Sequence, residues 1–259
     1  MKPFRLQFKA LACVEEAVLR RNLAHAAHFP RAQPGKHEYP VAVCGGGPSL
    51  NEHLSEIAAW PGDVWAINGT ADYLLDRGIA CTLFCVDALV EKTTAARRLL
   101  ATCCNPALFA GHVETFACCE HEEGGVPGGS TAAGRTPALA LRLGYPGAVY
   151  FGCDSSFDGC DHVDRDEKLP DVMVIRANGR DFKTYPEFSM QAECLADVIR
   201  LAPDFFVNRS GGLLEAMVHD QQWSVVAVSD ALKAHLIEIN GDDGIYDAPY
   251  VAIQIGDSK

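Results

Sequence analysis

From Pro40 onward, short apolar runs alternate with segments of helical spacing, the pattern left by βαβ units wound around a mainly parallel sheet. Strands are predicted at Val41–Cys44 and at residues 63–68, 81–87, 107–110 and 148–153, where apolar residues follow one another without the polar positions of a half-exposed strand. Helices are predicted between them at 49–60, 71–77, 90–101 and 137–143. For the last, Thr136 is a suitable N-cap and Pro137 a suitable first residue, and a start at Ser130 with a kink near Pro137 is the competing boundary. Ahead of this core, Leu11, Val14, Val18 and Leu23 recur at helical spacing over 10–29, and Pro30 and Pro34 end that helix.

After Gly159 the pattern changes. A charged run at 161–171 precedes two short apolar stretches, 172–176 and 181–185, separated by Asn178-Gly179, which reads as a hairpin with a tight turn. The helix expected at 186–201 carries Phe188, Leu195, Val198 and Ile199, and further strands are expected at 205–208, 224–229 and 250–255. The chain divides on this reading into an N-terminal helical segment (1–35), a Rossmann-like nucleotide-binding catalytic domain (36–218) and a strand-rich extension (219–259). Its class is α/β: a mainly parallel sheet flanked by helices, with a hairpin excursion near 160–185.

Composition narrows the partners. A formal charge of −12 over 259 residues speaks against tight binding to a nucleic-acid backbone, which depends on clustered Lys and Arg. It leaves room for a nucleotide, whose phosphates can be held by backbone N–H groups and a divalent cation. Eleven cysteines without zinc-site spacing read as mostly reduced, buried small side chains. Gln7, Lys9, Glu15 and Glu16 interrupt any secretory apolar run and no stretch reaches membrane-spanning length, so a cytoplasmic protein is expected.

The chemistry gathers at predicted strand ends. Val41–Cys44 runs into Gly45, Gly46 and Gly47, then Pro48 and Ser49 open a helix, an order in which backbone can approach a phosphate and free N–H groups can meet it. Neither the Walker lysine nor a complete G-x-G-x-x-G is present. Asn68 and Asp87 close the next two strands, where carboxyl ends line the crevice of a parallel sheet; Asn68 suits a sugar or base edge, Asp87 a metal-bound water or ribose hydroxyl. A second glycine-rich stretch, 124–134, offers Gly129, Ser130 and Thr131 to phosphate oxygens, with Arg135 as a forked cation. Asp154, Asp158, Asp161 and His162 then supply hard oxygen ligands and one imidazole suited to general-base work. For each of these residues a turn, a cap or a solvated loop is the competing role.

The ordered set Gly-Gly-Gly-Pro-Ser-Leu, Trp65-Ala-Ile-Asn68, Asp87, Gly129-Ser130, Phe151-Gly-Cys-Asp154 and His162 resembles the 6-hydroxymethylpterin diphosphokinase-like domain shared with flagellar motility accessory factors. The resemblance spans roughly residues 38–218, with Gly46 standing where many relatives carry Asn. More distantly the chain is similar to bacterial sialyltransferases that use CMP-activated sugars. The resemblance implies a Rossmann-like fold and a nucleotide-bearing donor. In the pterin branch ATP with Mg²⁺ donates a pyrophosphoryl group to a hydroxymethyl acceptor; in the motility branch a nonulosonic sugar passes from a CMP donor to protein hydroxyls. The first expectation is therefore a Mg²⁺-dependent diphosphokinase-type transferase, with Gly45, Gly46, Gly47, Pro48 and Ser49 on phosphates, Asp87 and Asp154 on metal, and Asp154, His162 and Arg135 as catalytic groups. The alternatives are a glycosyltransferase, in which Asn68 and Ser130 hold CMP and His162 is the base, and a non-catalytic nucleotide-binding module.

Overall fold

The computed structural model describes residues 5–9, 15–89, 95–101, 104–109, 111–112, 114–117, 131–157, 171–232 and 250–254. At its centre is a strand of alternating purpose, β2 (Val41–Cys44), in which Val41 and Val43 face one side of the sheet and Ala42 and Cys44 the other. All four are fully buried, as the period of two demands when both faces are covered. β3 (Val64–Ile67) and β4 (Thr82–Cys85) follow on one side, and β7 (Ala148–Phe151) and β10 (Phe206–Asn208) lie on the other. With β5 (Arg98–Ala101) and β6 (Glu114–Ala117) they form a seven-stranded, wholly parallel sheet in the order β10-β7-β2-β3-β4-β5-β6. The expected Rossmann-like α/β architecture is present.

Helices cover both faces. The Val41 face packs on α5 (Ala132–Arg142), α6 (Pro186–Leu201) and α7 (Gly212–His219) through Leu139, Leu195, Ile199, Leu213 and Met217. The Ala42 face packs on α1 (Glu16–Ala26), α2 (Leu54–Ala58), α3 (Thr70–Leu75) and α4 (Pro106–Phe109) through Ala26, Ile57, Leu74 and Phe109. The hairpin predicted around Asn178-Gly179 is β8 (Met173–Ala177) with β9 (Arg180–Thr184), and both turn residues have the positive φ that a type I′ turn requires. β11 (Trp223–Val228) joins β8 to complete a three-stranded antiparallel sheet, while β12 (Tyr250–Gln254) pairs antiparallel with β1 (Arg5–Lys9).

Four predicted elements differ. Residues 98–101, read as helix, are strand β5, and 107–110, read as strand, fall mostly in α4. Buried apolar runs as short as Leu99–Ala101 and Leu108–Phe109 carry no period that separates strand from helix. The informative signal was Asn105-Pro106: the Asn105 side chain accepts from Ala107 N at 3.0 Å, and Pro106 takes the first helical position. The segment 49–60 is a 3₁₀ turn over Pro48–His53 followed by the short α2.

The fourth difference is at α5, where the N-cap is Thr131, its hydroxyl accepting from Gly134 N at 3.2 Å, and not Thr136. Pro137 therefore sits inside the helix, where its missing N–H would orphan the carbonyl of Ala133. Thr136, fully buried, donates its hydroxyl to that carbonyl at 2.6 Å and so supplies the bond that proline removes. Replacing Thr136 with Val keeps the shape and deletes the donor. The expected result is a loss of about 1–3 kcal/mol in urea denaturation, with the fold retained.

Candidate functional site

Because every strand of the main sheet is parallel, Cys44, Asn68, Asp87 and Asp154 all fall at its carboxyl edge, in or just after β2, β3, β4 and β7. The chain leaves β2 toward β3 on one side and returns through β7 on the other, so the topological switch point, where such sheets open a ligand crevice, lies between β2 and β7. Here that gap is closed. Gly45 N donates to Phe151 O at 2.8 Å and Gly47 N to Gly152 O at 2.7 Å, continuing the ladder beyond the strands. Asp154 then fastens the two loops. Its Oδ2 accepts from Ser49 N at 2.8 Å, and its Oδ1 accepts from the Ser49 hydroxyl and from Gly211 N at 3.0 Å. Burial pushes the Asp154 carboxyl above its ordinary range, against the opposing pull of the donors from Ser49 and Gly211, and Glu52 adds to the rise.

The three glycines consequently have different tasks. A Cβ on Gly45 would lie 2.6 Å from the carbonyl oxygen of Gly152, and one on Gly47 would lie 2.7 Å from the Asp154 carboxylate and 2.7 Å from the same carbonyl. Both positions need glycine because two backbones touch there. A Cβ on Gly46 would meet only the Thr70 hydroxyl, at 3.2 Å. Within 45–50, Gly46 also carries the one backbone N–H without a hydrogen bond among the described residues, since Gly45, Gly47, Ser49 and Leu50 donate to Phe151, Gly152, Asp154 and Gly47. Of the Gly45–Ser49 turn expected to meet phosphates, Gly46 is the residue with an open face and an unbonded N–H among the described residues.

Asn68 stands beside it, on the next strand end. Its backbone is left-handed, with φ 47°, and its N–H donates to Phe84 O at 3.1 Å while its carbonyl accepts from Ala71 N at 3.2 Å. Its side-chain oxygen Oδ1 is buried and has no partner among the described residues. A buried amide oxygen without a donor costs free energy unless something else supplies the donor. Asp87 follows on the next strand end, with Oδ1 accepting from Leu89 N at 2.9 Å and its carbonyl accepting from Asn105 N at 3.3 Å. α5 packs against β2 and β7 on the Val41 face of the sheet. Because α5 leads into the parallel strand β7, its first turn, with the half-buried Thr131 and Arg135, lies toward the carboxyl edge. Gly46, Asn68 and Asp87 thus follow one another along the carboxyl edge, after β2, β3 and β4.

Asp87 and Asp154 are the two residues expected on metal. The strand order places the strands they follow three ladder spacings apart, about 14 Å. Both Asp154 oxygens are also engaged by donors. Among the described residues no three His, Cys, Asp or Glu side chains gather as a metal site. Gly129, Ser130, Asp158, Asp161 and His162 lie outside the described residues.

Sequence reasoning missed the loop after β10. Ser210 donates to Tyr150 O at 3.2 Å and accepts from Cys153 N at 2.8 Å, and Gly211 supplies the third donor to Asp154. The signal present was Ser210-Gly-Gly, separated by two residues from the apolar run at 205–207, but nothing local ties Gly211 to a carboxylate 57 positions earlier.

No protein-family model and no curated protein matches the chain. The fold is similar to a solved structure described as a MAf glycosyltransferase from Magnetospirillum magneticum AMB-1, with a TM-score of 0.53 and 15% sequence identity. The likeness covers 85% of this chain and 41% of that one, so this chain spans about two fifths of that protein's length. At this identity what is shared is the fold. No helix among the described residues is long and apolar enough to cross a membrane.

Proposed function

We propose that this chain is a transferase of the glycosyltransferase type, taking a nucleotide-activated sugar, of the CMP-nonulosonic or sialic acid class, at the carboxyl edge over β2, β3 and β4. The observation that carries the reading is the unpartnered Oδ1 of Asn68 beside the free N–H and uncovered face of Gly46. An amide oxygen can accept from the exocyclic amine of a base or from a sugar hydroxyl, while Gly46 N–H and the N-terminal turn of α5 are suited to the phosphate. The likeness to a glycosyltransferase fold favours this donor, and a hydroxyl of a small molecule or protein is the acceptor that fits. Catalysis then rests on holding the donor and stabilising the departing nucleotide, with Arg135 as the nearby cation and His162 as the proposed base.

The ATP-dependent diphosphokinase reading has less support, because it leans on carboxylates gathered around Mg²⁺ and the strand order separates Asp87 from Asp154. Calorimetric titration with CMP, CDP and ATP, with and without Mg²⁺, tests the choice. CMP is expected to bind without Mg²⁺, and Asn68→Gly, which retains the left-handed backbone and deletes the amide, is expected to weaken CMP by about tenfold. Binding of ATP alone, and only with Mg²⁺, would return the assignment to diphosphoryl transfer.

A further inference from the structure

Cys85 ends β4, and Cys104 stands 19 positions later in the turn that leads into α4. The pairing of β5 with β4, which sets Cys85 opposite Ala101, brings them together. Both are buried, at 2% and 0% exposure, in the same apolar cluster. The Cys104 thiol donates to the carbonyl oxygen of Cys85 at 2.6 Å, which sets its sulfur against the backbone of Cys85. Both are free thiols. Cys44 and Cys153 are also buried and near one another, but they belong to apolar clusters on opposite faces of the sheet.

Two buried cysteines, one with its sulfur against the backbone of the other, are neighbours of the kind a disulfide joins once their side chains turn toward each other. We propose that Cys85 and Cys104 form a peroxide-oxidised dithiol pair, whose disulfide locks the exit of β4 to the start of α4 directly beneath Asp87. Hydrogen peroxide suits buried thiols because it is scarcely larger than water, whereas a glutathione-sized disulfide cannot enter. One thiol, as its thiolate, attacks a peroxide oxygen; the O–O bond breaks, the departing hydroxide takes the thiol proton and leaves as water, and a sulfenic acid remains. The second sulfur attacks the sulfenic sulfur, the S–S bond forms, the S–O bond breaks, and the oxygen leaves as a second water. Two electrons pass from the sulfurs to the peroxide, and a small dithiol returns them. The bond lies two residues before Asp87, whose carbonyl already accepts from Asn105 N, so it fixes the floor of the β4 side of the crevice. The pairing stands whether or not that crevice takes a nucleotide.

The full chain, first reduced, is treated with hydrogen peroxide, alkylated and digested without reductant for mass mapping. The expected product links the Cys85 and Cys104 peptides, with two hydrogens lost, and dithiothreitol reverses it. Oxidation is expected to raise the melting temperature of the wild type by about 5 °C or more, and to leave Cys104→Ser and Cys85→Ala unchanged. Linkage of Cys85 to Cys103 instead, peroxide consumption with no Cys85–Cys104 peptide, or a rise in melting temperature that persists in Cys104→Ser would each overturn the proposal. The wild-type mass map decides the matter even where a variant fails to fold.

Discussion

Replacing Gly46 with Val is expected to abolish most nucleotide binding while leaving the fold nearly as stable as the wild type. The substitution adds a branched side chain to a residue whose added Cβ meets a single atom, the Thr70 hydroxyl at 3.2 Å, and that hydroxyl can give by a few tenths of an ångström. Its backbone is not left-handed, so a β-branched residue carries no strain penalty there. The added methyls occupy the space above the free N–H, where a phosphate would have to come within about 3 Å. Loss of one charge-assisted bond together with the steric block is expected to cost about 2–3 kcal/mol of binding, roughly 30- to 150-fold in Kd. The neighbouring glycines give the opposite pattern. Gly45→Ala and Gly47→Ala drive a methyl into the Gly152 carbonyl, and for Gly47 also into the Asp154 carboxylate, so they should lower the melting temperature sharply. Titration calorimetry and thermal unfolding on the three variants check the contrast. Unchanged affinity in a folded Gly46→Val protein would remove Gly46 from the site.

Much of the fold was legible because local and global preferences agree. β2, the hairpin at Asn178-Gly179 and the helix that begins at Pro186 each carry a feature that means one thing: an uninterrupted apolar run into glycines, a dipeptide made for positive φ, and a proline fit only for the first turn. Residues 98–101 and 107–110 were exchanged because Leu and Ala suit a covered strand and a buried helix alike, and only pairing with β4 and β6 decides. The strand ends that line the carboxyl edge were legible for the same reason as the strands. The roles of individual residues there were not, because they depend on contacts between segments far apart in sequence. Nothing near Gly47 reveals that its Cα lies against Asp154, and nothing near Asn68 reveals that its amide oxygen is left without a donor. Of three consecutive glycines, two serve the meeting of β2 with β7 and one faces outward, a distinction that exists only once the strand order is known.

Replacing Asp154 with Asn is expected to destabilise the fold by about 2 kcal/mol and to leave the Mg²⁺ dependence of nucleotide binding as in the wild type. The carboxylate is an acceptor for three donors: Ser49 N on Oδ2, and Gly211 N and the Ser49 hydroxyl on Oδ1. An amide has one acceptor end. Whichever way it is turned, its NH₂ faces a backbone N–H, of Ser49 in one orientation and of Gly211 in the other, and that N–H loses its bond at a buried position. The glycine turn and the loop after β10 are both held by this one group, so the loss should appear as a lower unfolding midpoint and faster amide exchange at Ser49 and Gly211. The pH dependence has a definite sign. Burial raises the folded-state pKa of Asp154 above its unfolded value, so the native state binds the proton more tightly, and the group's contribution to stability falls as pH rises from the ordinary carboxylate range through the raised value. Asn does not titrate, so the gap between wild type and variant should be widest at acid pH and should narrow to a constant value toward neutrality. A carboxylate that served mainly as a metal ligand would behave otherwise: Asn would leave the unfolding midpoint nearly unchanged without Mg²⁺ and would remove a Mg²⁺-dependent gain in nucleotide affinity. Unfolding curves from pH 4 to 8, with nucleotide titrations at several Mg²⁺ concentrations, separate the two, and a variant as stable as the wild type would mean that Asp154 does not fasten the switch point.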